Sequence, residues 1–276
     1  MPLLPVSDLE RLSPIFKGKV GNAFAESLRK LLSISQLSDV YDELSSLRGP
    51  DFARALLQRL EVEYKVTGAE KLAGLPEGPF VTVSNHPYGG IDGIILVDLI
   101  GHIREGFKVM VNEFLNVVEP LRPTWIVVNP KNNDSTGVSG KNIQGVKEVL
   151  STLRQGDPVG FFPSGAVSDL RPRDMTIRDR EWQASLIRLV KKAGVPVVPI
   201  RFYDRNSLFF YLLGLINWKI RLLRLPHEVV NKRGAEIRVG VGDIITVEEI
   251  RNHPETDDLR EWLRSRVYGM PFPDKL

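Results

Sequence analysis

The 276-residue sequence contains no cysteine. Disulfides, thiolate metal sites and a cysteine nucleophile are thereby excluded, and a reducing compartment is allowed. No run of about 20 apolar residues occurs, so no transmembrane helix is expected. The most apolar stretch, Leu208 to Trp218, has about half that length. The first residues lack the basic start and apolar run of a signal peptide. Neither sign of charge dominates: 37 basic residues face 34 acidic ones, a formal net charge of +3. That is too mild for a nucleic-acid partner and fits a weak attraction to anionic surfaces. No internal repeat or low-complexity tract is present. His102, His227 and His253 share no metal-ligand spacing with nearby acids, so no metal is expected.

What the sequence does have is an ordinary apolar content of 42%, enough for a sizeable core. The first sixty residues alternate apolar and charged positions at helical spacing, which predicts helices over Ala23 to Leu32, Leu37 to Leu47 and Phe52 to Leu60. After Pro79 the texture changes. Strands are predicted at Phe80 to Ser84, Phe107 to Val111, Trp125 to Val128, Val159 to Phe162, Val195 to Phe202 and Glu236 to Val241. Helices are predicted at Gly93 to Ile103, Ile143 to Arg154, Trp182 to Ala193 and Leu259 to Val267. Strands alternating with helices imply an α/β fold: a central mixed, largely parallel sheet flanked by helices, with an N-terminal helical segment packed on it. The expected division is 1–62 for that segment and 63–276 for the α/β domain. Sites in such sheets gather at the C-terminal ends of strands.

The first strand end carries Asn85-His86-Pro87-Tyr88-Gly89-Gly90-Ile91-Asp92. Pro87 stops sheet pairing, and the paired glycines let the chain turn back. A histidine and an aspartate at the two ends of such a loop can be folded into contact. The carboxylate then fixes the tautomer, and the other ring nitrogen is free to take a proton from a hydroxyl. The substrate would supply the nucleophile. The plainer alternative is an Asp92 that caps a helix and a His86 that only packs.

These residues resemble the first block of the glycerolipid (PlsC-like) and lysophospholipid acyltransferases: Asn-His, four residues, Asp. Here five residues, Pro87 to Ile91, separate His86 from Asp92. The longer Pro-x-Gly-Gly form resembles the hemolysin-like branch, or O-acyltransferases of amino-acid-containing lipids. The resemblance covers about Gly68 to Glu249. Where the family places an arginine at a second strand end, this sequence has Asn129, with Lys131 two residues on. The family's Phe-Pro-Glu-Gly reads Phe162-Pro163-Ser164-Gly165 here, followed by Arg171 and Arg173. Val195-Pro196-Val197-Val198-Pro199-Ile200 matches the fourth block, a structural strand. Ser164 does not sit in Gly-x-Ser-x-Gly, so a hydrolase elbow fits poorly. Ser135 to Asn142 only partly matches a P-loop and is not preceded by a strand.

The resemblance implies transfer of a fatty acyl chain from acyl-CoA or acyl carrier protein to a lipid hydroxyl, with no bound cofactor. It makes His86 the general base and Asp92 its orienting partner. Asn85, Asn129, Lys131, Ser164, Gly165 and Arg173 become candidate acceptor or oxyanion contacts, with solvated loop positions the alternative for Lys131 and Arg173. Loss of the usual arginine and glutamate favours a monoacylated lipid acceptor over glycerol 3-phosphate. Leu208 to Trp218, followed by Lys219, Arg221 and Arg224, has the aromatics and cations of an interfacial helix. The alternative is a core helix with a basic end. Phe209, Phe210 and Trp218 are the expected membrane contacts, and the N-terminal helices are a second candidate. The expected location is cytoplasmic, peripheral on the inner face of the membrane. A lipid hydrolase and a non-catalytic lipid-binding protein are the rival readings.

Overall fold

The computed structural model describes residues 34–128 and 140–273. Helices α1 (Ile34–Glu43) and α2 (Gly49–Arg59) precede β1 (Glu63–Thr67), β2 (Val81–Ser84), α3 (Ile91–Gly101), β3 (Lys108–Asn112) and β4 (Trp125–Val128). Then come α4 (Gly140–Arg154), β5 (Val159–Phe161), a hairpin of β6 (Asp169–Arg171) and β7 (Thr176–Arg178), α5 (Ala184–Ala193) and β8 (Val197–Phe202). The chain continues through α6 (Leu208–Ile216), α7 (Trp218–Leu223), α8 (Leu225–Val230), β9 (Glu236–Val241), α9 (Val247–Arg251) and α10 (Thr256–Tyr268). The helix predicted at Ala23 to Leu32 lies outside the described residues.

Seven strands form one sheet in the order β1-β9-β8-β2-β5-β3-β4. Every pairing is parallel except β8 with β9. The sheet is therefore mixed and largely parallel, as the alternation of strands and helices predicts. Strand side chains alternate between two apolar layers. Val198, Ile200, Phe202, Ile237 and Val239 meet Phe52, Leu57 and Ile95 of α2 and α3 on one face. Val81, Val83, Ile126 and Phe161 meet Val149, Ile187 and Leu263 of α4, α5 and α10 on the other. Val40 and Tyr41 of α1 belong to the first layer, so residues 34–62 share a core with the sheet.

Local signals set several boundaries. Gly194, in the left-handed region at φ 63, ends α5 behind Lys191 and Lys192. Thr246 and Glu249 form a capping box that starts α9. Helix α3 is buried on nearly all sides, because it lies between the sheet and α2. Two features depart from the sequence reading. Strand β1 and the β6–β7 hairpin were not expected. The stretch Leu208 to Trp218 is not one helix either, since it breaks at Asn217 into α6 and α7.

Candidate active site

Strands β8, β2 and β5 are neighbours, and the loops that leave β2 and β5 meet at their C-terminal ends. All four residues of β2 are buried, as expected for a strand with neighbours on both sides and helices on both faces. Asn85 follows. Its Nδ2 donates to the Phe202 carbonyl at 2.8 Å and its Oδ1 accepts from the Phe202 amide at 2.8 Å. A buried side chain thus extends the β2–β8 ladder one step past the strand. Both polar ends of the Asn85 amide are committed to β8, so the expected substrate contact gives way to a scaffolding role. Pro87 then ends pairing, and its carbonyl accepts from the Tyr211 hydroxyl at 2.7 Å.

The chain turns back at Gly89, where φ is 79. A Cβ there would overlap the Val167 side chain, so the turn needs glycine for both conformation and space. The turn absorbs the fifth intervening residue and brings the pair together. His86 Nδ1 lies 2.8 Å from Asp92 Oδ2. The same oxygen accepts from the Tyr88 amide at 3.0 Å and the Gly89 amide at 3.1 Å, while Oδ1 accepts from the Gly93 amide at 3.0 Å. Asp92 is fully buried and sits in the first turn of α3. Its carboxylate holds the loop amides and the imidazole at once, whereas the helix-capping position is taken by Gly90, with no side-chain cap bond. With Nδ1 donating to Asp92, Nε2 is the nitrogen left for chemistry.

The His86 ring stacks on Phe162, with centroids 4.1 Å apart and planes at 28°. Its side chain keeps 16% exposure. Burial pushes its pKa down, but the Asp92 charge, the Asp92 hydrogen bond and the Asp179 charge outweigh this, and the net shift is upward.

Asp179 was not singled out from the sequence. Its Oδ1 accepts from the His86 amide at 3.1 Å and the Ser168 hydroxyl at 2.6 Å, and its Oδ2 accepts from the Trp182 indole at 3.0 Å. Burial raises its pKa despite those hydrogen bonds. The Ser168 amide donates to the His86 carbonyl at 2.8 Å. Asp179 and Ser168 therefore hold the backbone on both sides of His86. Trp182 is almost wholly buried, and its indole N–H finds its acceptor in Asp179.

The second loop is a tight turn. Gly165, at φ 62, donates its amide to Phe162 at 2.9 Å, and the Gln183 amide donates to Pro163 at 2.8 Å. A Cβ on Gly165 would collide with the Gln183 side chain. The buried Ser164 donates its hydroxyl to the Ala166 carbonyl at 2.7 Å, which leaves its oxygen free to accept. Arg173 is exposed on the turn of the β6–β7 hairpin. Asn129 and Lys131 lie outside the described residues. Arg171, on β6, donates to the Asp179 carbonyl at 3.2 Å.

Other histidine–aspartate contacts occur elsewhere. His102 meets Asp98 and Asp51, and His253 meets Asp258. Both stand in or beside helices rather than at a strand end. Among the described residues no group of three or more His, Cys, Asp or Glu side chains is arranged to hold a metal.

A family model described as Acyltransferase matches residues 15–271. A lyso-glycine lipid O-acyltransferase from Bacteroides thetaiotaomicron is 30% identical over 250 residues, covering 88% of this chain and 88% of the relative. A protein of the same description from Phocaeicola vulgatus is 28% identical over 250 residues, covering 85% and 84%. Among solved structures, the 1-acyl-sn-glycerophosphate (LPA) acyltransferase PlsC from Thermotoga maritima aligns with a TM-score of 0.47 and 12% identity, over 81% of this chain and 84% of that one.

Proposed function

Because the chain belongs to the acyltransferase family and is a lipid O-acyltransferase like its relatives, we propose that His86 and Asp92 transfer a fatty acyl chain from a thioester, acyl-CoA or acyl carrier protein, to the hydroxyl of a monoacylated lipid. The observation that carries the mechanism is the 2.8 Å His86–Asp92 contact, with Asp92 held by three backbone N–H groups. His86 Nε2 removes the acceptor's hydroxyl proton, and the oxygen attacks the thioester carbonyl. The tetrahedral intermediate collapses by breaking the carbon–sulfur bond. The departing thiolate takes the proton back from the imidazolium, which leaves an ester, a free thiol and neutral His86. Asp92 stays ionised and fixes the ring during both transfers. Ser164 and Gly165 form the opposite wall, where the Ser164 oxygen accepts from the acceptor head.

The acceptor reading rests on neutral groups standing where charged ones are usual: Asn129 at the second strand end and Ser164 in the Phe162–Gly165 turn. A phosphate monoester, with nearly two negative charges, calls for arginine forks at such positions. A lysolipid of the kind named for the two relatives suits this site better than glycerol 3-phosphate.

Contact with a lipid surface is assigned to α6 and α7. Leu208, Phe209, Leu212, Leu215, Ile216 and Trp218 are exposed there, and Arg224 lies over the Phe209 ring at 4.7 Å. Phe210 is instead fully buried against Tyr211 and Leu170, so it belongs to the core and not to the membrane contacts expected from the sequence. Among the described residues no helix is long and apolar enough to cross a membrane.

The decisive assay supplies the purified protein with an acyl thioester and a lysolipid, and follows ester and thiol together. His86→Ala should lower turnover by about 10²–10⁴-fold while the protein stays folded. Release of free fatty acid in place of ester would favour a hydrolase. Full ester formation by His86→Ala would overturn the mechanism, and faster acylation of glycerol 3-phosphate would overturn the acceptor reading.

A further inference from the structure

Directly after Ser168, which is bonded to the His86 carbonyl, the chain enters β6. A groove of about 410 Å³ opens between the β6–β7 hairpin and α6. One wall is charged, formed by Asp169, Arg171 and Arg180; the other is apolar, formed by Tyr211, Gly214 and Leu215. Asp169 is already neutralised. It accepts from Arg180 and, at 2.5 Å, from the buried Arg221 of α7, and these pairings hold its carboxyl below the usual range against the effect of burial. Arg171 differs. The residue is partly buried and lines the groove, and its guanidinium meets the Asp179 backbone carbonyl, with no carboxylate paired to it among the described residues. It is a fixed cation with open donors at the edge of the site.

The apolar wall continues outward. Leu215 lines the groove and is also part of the exposed face of α6 with Leu212 and Ile216, the last 78% exposed. The groove therefore presents one unpaired guanidinium at its inner wall and a strip for an alkyl chain leading away from it. That pairing fits an amphiphile with a single chain and a single anionic head.

We infer that this groove seats the acceptor, with Arg171 binding one carboxylate on the head of a single-chain lipid whose alkyl tail lies along α6. Arg171 is then the specificity-determining residue. The inference rests on the proposed acyl transfer for its role but not for its test, because binding can be read without chemistry. A planar guanidinium takes a carboxylate through two parallel hydrogen bonds, and its placement beside β6 puts the head next to the loop that carries His86.

N-Palmitoylglycine has the carboxylate and chain but no hydroxyl to acylate, and N-palmitoylglycinamide is its neutral counterpart. Their binding to the purified full chain is measured below micelle-forming concentrations. The wild type should bind the acid about tenfold to hundredfold more tightly than the amide. Arg171→Gln should abolish that preference, and Arg173→Gln, on the exposed turn, should keep it. Leu215→Glu alters an exposed position that tolerates charge; it should weaken both compounds, which share the alkyl chain, and the acid more than the amide because the new carboxylate repels its head. This variant reads the groove even if Arg171→Gln fails to fold. His86→Ala should bind both compounds as the wild type does, so loss of the catalytic reading would leave the binding result standing. Equal binding of acid and amide by the wild type, an unchanged preference in Arg171→Gln or Leu215→Glu, or displacement of N-palmitoylglycine by coenzyme A alone would each overturn the assignment.

Discussion

Burial alone favours the neutral form of the His86 imidazole. The charges of Asp92 and Asp179 reverse the balance and lift its pKa above the ordinary 6.5. A base must be neutral to work, so kcat/KM should rise with pH through a value above 6.5, later than an unperturbed histidine would give. Stability moves the opposite way. A raised folded value adds stability below the unfolded pKa, and that contribution fades as pH climbs through the folded value. Asp179→Asn removes one of the charges that raise His86, so the acid limb of the pH–rate profile should shift to lower pH. A limb that stays in place would mean that Asp179 acts only as scaffold for the His86 amide. The Asn85–His86 dipeptide and Asp92 could be picked out by residue type and loop chemistry. Asp179 could not be, because its partners come from Ser168, Trp182 and the amide of His86, which are brought together only by folding.

At the scale of elements, α6 and α7 join the exposed apolar surface to the loops that carry His86 and Ser168. Arg221 of α7 donates to the Ser168 carbonyl at 3.2 Å as well as to Asp169, and α6 contributes Phe210 and Tyr211 to a small core with Val167 and Leu170. Replacing Phe209, Ile216 and Trp218 together with serine should release the protein from anionic vesicles in a flotation assay and leave its thermal transition nearly unchanged, since all three are exposed. Aggregation of that variant, or unaltered flotation, would refute this placement of the surface. Phe210→Ser should instead destabilise the fold, because a fully buried ring is lost. The sequence could not separate Phe209 from Phe210: the stretch is apolar throughout, so periodicity has no polar positions from which to read a face. Buried strands such as β2 and β5 were legible because a short apolar run bounded by turn residues has few other solutions. Strand β1 does carry the alternation of a half-exposed strand, with Tyr64 and Val66 between exposed charged and polar residues, but over only five residues. The β6–β7 hairpin has only three residues on each side, and each strand ends in arginine, so it read as a charged loop.

Taken whole, the molecule fastens its site from distant parts of the chain. The Asp179 amide donates to the Tyr268 hydroxyl at 3.0 Å near the end of α10, and Arg201 of β8 reaches the Tyr268 and Met270 carbonyls at 2.5 Å. The same long reach governs the sheet edge. Among the described residues strand β1 pairs with β9 alone, with Glu63 opposite Glu236 and Thr67 opposite Gly240, and β9 itself pairs with β8. During synthesis β1 therefore leaves the ribosome long before β9, and it waits as an unpaired edge. Closing so long a loop is slow compared with forming the helices. In a pulsed hydrogen-exchange refolding experiment, the amides of β1 and β9 should become protected together, and after those of β2. Early protection of β1 alone would show that it is not held open for β9. Until that pairing forms, the nascent chain exposes a strand edge open to pairing with other chains.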